Sequence, residues 1–205
     1  MHHIYHTEGL ILGSRNFGEA GKYYSIFTRD WGMVLASAQG VRKMSSKLRF
    51  ILQDFSYLKI DLVQGKDFWR VTSASKSSIF EQIPKDPGTF KVFANISRLL
   101  KRLLVGEDPN EALFNDLLNG LFVLEKFATK EPARNVSHSS AGSELLNIEA
   151  IMVLRILHNL GYIGEEESIK NFAKSPFEEN LIFEVSKNRA KILSKINQAL
   201  KETHL

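Results

Sequence analysis

The stretch Trp31-Gly-Met-Val-Leu-Ala-Ser-Ala-Gln-Gly-Val-Arg-Lys-Met-Ser-Ser-Lys-Leu-Arg49 decides how the chain is read. Met33, Leu35 and Ser37 alternate with Val34, Ala36 and Ala38, which is the period of a strand. Gly40 then breaks the pattern, and four cations, Arg42, Lys43, Lys47 and Arg49, fall within eight residues that hold no carboxylate. One Gly, two Ser and no aromatic residue between positions 40 and 49 point to a loop. Apolar alternation resumes beyond it, so the cations sit on a connection between two strands. Such a loop either keeps a small sheet solvated or grips a phosphate backbone by releasing its counterions.

Working outward, the flanking residues extend a β pattern over positions 4–80. Ile4 to Leu12 reads as a first strand that stops at Gly13-Ser14. Tyr23, Tyr24, Ile26, Phe27 and Thr28 make a second, and Asp30-Trp31-Gly32 turns the chain into the third. Phe55, Tyr57, Lys59 and Asp61 alternate with Ser56, Leu58, Ile60 and Leu62 in a fourth. After Gln64-Gly65-Lys66-Asp67, Phe68 to Thr72 forms a fifth. Five short strands with turns between them predict a small closed barrel of the five-stranded oligonucleotide-binding kind (OB-fold). An SH3-like barrel fits the same periodicity.

Past Ser77 the period becomes helical. Thr89 is placed as an N-cap, with Phe93, Ile96, Leu100, Leu103 and Leu104 behind it and Gly106 as the stop. Asn110 begins a second helix with a Leu113, Leu117, Leu121, Leu124 stripe. Thr129 to Ser143 is polar and aperiodic and is expected as a surface loop. Ser143 is expected to cap a third helix, apolar on several sides, that ends at Gly161. Ile182 and Phe183 are expected to form a short strand or simply to pack. Lys187 to Glu202 reads as a last amphipathic helix with Leu193, Ile196 and Leu200 inward. The expected class is α+β: an N-terminal barrel domain over residues 1–80 and an all-helical C-terminal domain over 81–205.

The chain has 205 residues, 43% of them hydrophobic, a net charge of +4 and no cysteine. The missing cysteines exclude disulfides, thiolate zinc sites and a Cys nucleophile. No apolar run approaches the ~20 residues of a membrane span. The N-terminus lacks a signal-peptide profile, so a cytoplasmic location is expected. Positions 1–80 hold 11 Lys and Arg against 6 Asp and Glu, an excess of five, whereas the remainder is nearly balanced. A polyanion is therefore expected on the barrel.

Several motifs together resemble the RecO family of bacterial recombination mediators. They are Tyr5-His-Thr-Glu-Gly-Leu-Ile-Leu12, Phe17-Gly-Glu-Ala-Gly-Lys22, Ile26-Phe-Thr-Arg-Asp-Trp-Gly32, Gln39-Gly-Val-Arg-Lys43, Ser46-Lys-Leu-Arg49, Leu52-Gln-Asp-Phe55 and Leu154-Arg-Ile-Leu-His-Asn-Leu-Gly-Tyr162. They span nearly the whole chain in family order. The resemblance implies an OB-fold followed by a helical domain, and a non-enzymatic role. That role is DNA repair and recombination: binding single- and double-stranded DNA, annealing complementary strands, and loading recombinase onto strands coated with single-stranded-DNA-binding protein (SSB). It implies two protein partners, RecR and the acidic C-terminal tail of SSB, and a nucleoid-associated place in the cytoplasm. Many relatives carry a cysteine zinc module after the Leu-Gly-Tyr motif. Ile163 to Ser175 has Glu165-Glu166-Glu167 instead, so a zinc-free, compact member with no cofactor is expected.

For DNA contacts the first-rank residues are Arg42, Lys43, Lys47 and Arg49, with Arg15, Lys22 and Arg29 behind them. They would hold phosphates and leave base sequence unread. Tyr23, Tyr24, Phe27, Trp31, Phe55, Tyr57, Phe68 and Trp69 are candidate base-stacking rings, most of them expected in the core. Phe68 and Trp69 are neighbours and must face opposite ways, so one of them is expected outside. Arg155, inside a very apolar helix, is expected either to pair with a carboxylate or reach solvent at the domain edge, or else to receive an acidic partner tail. His2, His3 and His6 match no metal-site spacing. No catalytic constellation or phosphate loop emerges. A protein adaptor acting through the helical domain and an RNA-binding OB protein are the competing functions.

Overall fold

A computed structural model describes residues 3–129, 138–164 and 166–203. Five strands come first: β1 (Tyr5–Phe17), β2 (Gly21–Thr28), β3 (Gly32–Ala38), β4 (Tyr57–Gln64) and β5 (Trp69–Lys76). They close into a barrel in the order β1-β2-β3-β5-β4, with β4 returning to β1. Every pair is antiparallel except β3 with β5, where Ala36 and Ser37 face Trp69 and Arg70 in parallel register. This Greek-key closure is the five-stranded OB-fold, so topology separates the two barrels that periodicity left open.

β1 is longer than the sequence reading, which stopped it at Gly13-Ser14. Its first half pairs with β4, from Tyr5 opposite Leu62 to Leu10 opposite Tyr57. Its second half pairs with β2, and a bulge between Ile11 and Gly13 lies near the changeover. The extra residue sharpens twist and bend, which lets one strand serve two neighbours. The glycine ends nothing here; it marks the bulge. The barrel core gathers Ile11, Tyr24, Ile26, Val34, Ala36, Leu58, Ile60, Leu62, Trp69 and Val71. Tyr5, Trp31 and Trp69 meet as three ring pairs with centroids 5.2 to 5.6 Å apart.

The chain forms two compact units, residues 1–80 with 97–114, and 81–96 with 115–205. In the first, Phe27, opposite Leu10 on the paired strands, meets the Phe114 ring at 5.4 Å. The Trp69 indole N–H donates to Glu107 at 2.7 Å. Connecting β3 to β4 is a single helical turn, α1 (Leu48–Ile51).

The helices α2 (Pro87–Leu103), α3 (Glu111–Thr129), α4 (His138–Asn159), α5 (Glu167–Lys174) and α6 (Glu179–Glu202) complete the described chain. Asn110 accepts the Leu113 N–H at 2.9 Å, the expected cap. At α2 the capping side chain is Asp86, which accepts the Thr89 N–H at 2.7 Å. The Thr89 hydroxyl instead bonds the Ile83 and Asp86 carbonyls. Ser143 caps nothing, because α4 begins at His138; the rest of the expected Thr129–Ser143 loop, 130–137, lies outside the described residues. Gly161, at φ 77°, ends α4: its N–H bonds the His158 carbonyl and the Tyr162 N–H the Leu157 carbonyl. α6 runs eight residues further upstream than expected and absorbs Ile182 and Phe183 as helix. Its buried face is Leu181, Ile182, Val185, Ile192, Ile196 and Ala199, while Leu193 is 36% exposed. α4 packs on both α5 and α6.

The β2–β3 hairpin turns at Gly32, with φ 62°. A Cβ there would lie 2.2 Å from the Asp108 carbonyl oxygen, whereas one at Gly18, φ 55°, would meet nothing within 4 Å. Gly18→Ala is therefore expected to cost only the left-handed strain, about 1–2 kcal/mol. Gly32→Ala should cost clearly more in the same chemical-denaturation measurement, because strain and collision add.

The buried phenols of Tyr24 and Tyr57 are both pushed up to about 12. Burial is the main cause; Asp54 adds to it at Tyr24 and a bond to Glu8 at Tyr57. Folding thus favours the protonated phenols. Their contribution is complete below pH 10 and is lost as pH rises toward 12, when only the unfolded chain releases these protons. Thermal melting followed from pH 9 to 12 should show this fall, and Tyr24→Phe should make it shallower.

Candidate nucleic-acid interface

The cationic loop is built from two apolar anchors with charge between them. Val41, 2% exposed, and Leu52, 2% exposed, belong to the barrel core, and the half-buried Leu48 packs against it. Gly40 takes φ 67° to leave β3. The Arg42 N–H donates to the Ala20 carbonyl at 2.9 Å, and the Lys43, Ser46 and Arg49 N–H groups each bond a carbonyl three residues back. The loop is consequently a chain of turns pinned at both ends. Arg42, Lys43 and Lys47 stand exposed, and Arg49 is half-buried.

None of these four cations forms an ion pair among the described residues. Arg49 reaches the Met44 sulfur and lies 5.9 Å from the Phe50 ring centre. Met44 and Phe50 are themselves 80% and 71% exposed, apolar side chains beside the charge that periodicity did not single out. Lys22, Arg42 and Arg49 converge on a concavity of about 450 Å³ whose other walls are Tyr24, Val41, Leu52 and Gln53. Three cations set around Tyr24, Val41 and Leu52, with Asp54 the carboxylate near enough to act on Tyr24, leave a local excess of positive charge suited to a phosphodiester.

The second-rank residues separate. Lys22 joins the concavity and donates to the Ser14 hydroxyl at 3.4 Å. Arg15 lies elsewhere on the barrel wall, 5.3 Å over the Tyr23 ring. Arg29 is committed internally: it bonds Glu8 at 3.1 Å and lies 5.2 Å from the Phe114 ring. The same Glu8 accepts the Tyr57 hydroxyl at 2.7 Å. Asp30 and Asp61 line the same concavity as Arg29, so its setting is acidic.

Among the rings, Tyr24, Phe27, Tyr57 and Trp69 are buried, and Trp31 and Phe55 are half-buried. Phe68 is 37% exposed while Trp69 is 2%; β5 begins at Trp69 and runs to Lys76, so Phe68 lies in the turn before the strand and not in it. Tyr23 lies at the surface with Phe68 and with Phe17, a residue the sequence reading passed over.

Arg155 is 4% exposed. Its guanidinium bonds the Asp116 carboxylate at 3.3 Å, the Phe172 carbonyl at 3.2 Å and the Ser175 carbonyl, with the Phe177 ring 5.1 Å away. Asn159 steadies the other Asp116 oxygen at 2.8 Å. Burial pulls the guanidinium below its ordinary value and Asp116 opposes that. The carboxylate pairing is thus what occupies this cation, and it ties α3, α4 and α5 together. The histidines form no metal cluster among the described residues. His6 bonds Asp61 at 2.7 Å.

Arg155→Ala leaves the Asp116 charge and two carbonyls without their donor. The expected loss is about 3–5 kcal/mol in a denaturant titration. Arg155→Lys should recover only part of it, since one ammonium cannot reproduce the fork.

Residues 1–80 match the sequence model of a family described as recombination protein O N terminal. The chain is 30% identical over 162 residues to a DNA repair protein RecO of Heliobacterium modesticaldum, covering 79% of this chain and 53% of that one. A DNA repair protein RecO of Desulfitobacterium hafniense is 30% identical over 122 residues, 60% of this chain and 45% of its own. One from Caldanaerobacter subterraneus is 26% identical over 183 residues, 82% and 66% of the two chains. The chain spans roughly half to two thirds of the length of these relatives.

Proposed function

We propose that this chain, which belongs to the RecO family, is a non-catalytic mediator of DNA repair and recombination whose barrel holds DNA through its phosphates. The observation that carries the reading is the set of cations Arg42, Lys43, Lys47 and Arg49, which form no ion pair among the described residues, beside Lys22 on an OB-fold barrel. The relatives bear the name DNA repair protein, which supports the same reading.

Each phosphate neutralised by Lys or Arg releases condensed counterions, so affinity arises without any base being read. Annealing follows from the same chemistry. Two polyanions repel until their charge is screened, and bases left free by phosphate contacts stay available for pairing. Both single- and double-stranded DNA fit a site that recognises the backbone. In this reading residues 1–80 serve as the DNA-binding domain, while the helical domain of residues 81–205 recruits RecR and the acidic tail of SSB and so helps load recombinase. The setting is the cytoplasm at the nucleoid, and no helix among the described residues is long and apolar enough to cross a membrane.

Binding of labelled single-stranded DNA should weaken steeply with salt. Arg42→Ala or Lys47→Ala should weaken it evenly across sequences and lower the salt slope by about 1 each. Charge reversal at Arg42, Lys43, Lys47 and Arg49 together should abolish strand annealing. Unchanged annealing in that variant would transfer the function to the helical domain, and tighter binding of structured RNA would transfer it to RNA.

A further inference from the structure

One more feature of the barrel wall has the composition of a binding site. Arg15 pairs with Tyr23, Tyr23 with Ser37, and Ser37 with Arg70 across β1, β2, β3 and β5. Residues directly opposite on paired strands share a face. Tyr24, Trp69 and Val71 point into the core, so the Tyr23 and Arg70 side chains point out. Phe17, 45% exposed, lies 4.5 Å from the Tyr23 ring at 49°, and Phe68 lies 5.0 Å from it at 79°. The Arg15 guanidinium caps the cluster 5.3 Å over Tyr23. Beside Phe68 opens a concavity of about 260 Å³ that also includes Ser37, Lys66, Asp67 and Arg70.

We infer that Phe17, Tyr23 and Phe68 form a stacking platform for the unpaired bases of single-stranded DNA, bordered by Arg15, Lys66 and Arg70 for its phosphates. This rests on the DNA-binding reading above and adds to it a preference for unpaired strands. Three partly exposed rings on one small patch are an apolar cost that a barrel avoids unless something covers them. Charge selects the occupant. The bordering cations form no ion pair among the described residues, and the carboxylates in the adjoining turns are Glu19 and Asp67 alone. An apolar protein surface has no use for that positive border, whereas a nucleotide strand supplies a π-face and an anion at each step. Duplex DNA hides its base faces in the stack, so only its phosphates can engage. Lys22, the residue before Tyr23 on β2, lines the cationic concavity on the opposite side of the strand, so the platform and the phosphate grip are separate patches.

The test compares the whole chain with Phe17→Ala/Phe68→Ala by fluorescence anisotropy, using an oligothymidine strand, an oligouridine strand of equal length and a DNA duplex. Phe17→Leu/Phe68→Leu keeps apolar volume without a π-face and serves if the alanine variant loses its fold. The expected result is about tenfold weaker thymidine-strand binding with an unchanged salt slope, and duplex binding altered by less than about twofold. Equal losses on strand and duplex, or no loss on either, overturn the platform and leave the phosphate grip standing. A wild-type chain that binds neither DNA overturns both. Tighter binding of the uridine strand overturns the assignment to DNA. A wild-type dimer split by the alanine variant with DNA affinity intact overturns it in favour of a second copy of the chain.

Discussion

Barrel closure depends on β1 being shared between two neighbours. Gly9 and Leu10 pair with both β2 and β4, and the bulge that follows bends the strand through the changeover. Without that closure β1 and β4 would each present an open edge, a template for pairing with other chains. With it, each strand pairs on both sides over part of its length, and none keeps a whole edge open. The chemistry available to a partner is then carried by loops and outward side chains. Val41 and Leu52 enter the core and so fix the cationic loop, whose charges remain in water.

Charge on this protein takes two opposite forms. Arg155 and Asp116 share carbonyl, amide and ring partners, and that pair acts as internal scaffolding. Arg29 and Glu8 do the same on the barrel, with the Tyr57 hydroxyl completing the group. Among the described residues the loop cations have no carboxylate partner. A cation tied to its own carboxylate has little attraction left for phosphate, so the separation of the two sets gives the loop its proposed role.

The strands were legible because alternation survives in half-buried sheets, and Met33 to Ala38 and Tyr57 to Leu62 show it plainly. The extent of β1 was not, because a glycine that serves a bulge looks like a glycine that ends a strand. Asn110 announced its helix through a local bond three residues away. Asp86 was overlooked for Thr89 because both residue types cap, and only the fold shows which side chain reaches the free N–H. The start of α6 was hidden by Pro176 and the charged residues after it. In the site, the cationic cluster was visible as composition. The fates of Arg29 and Arg155 were not, since Glu8 and Asp116 lie 21 and 39 residues away in sequence. Phe17 went unnoticed because a single aromatic beside Gly18 carries no period, and only strand register brings it to Tyr23.

Leaving like charges crowded on one pinned loop makes the folded state work against itself. Self-repulsion there is relieved when anions gather, and relief that favours only the folded form counts as added stability by mass action. Under the proposed function, nucleic acid would then be more than cargo. It would act as a folding ligand, so the protein would be most robust wherever exposed strands accumulate and less so when they have been repaired.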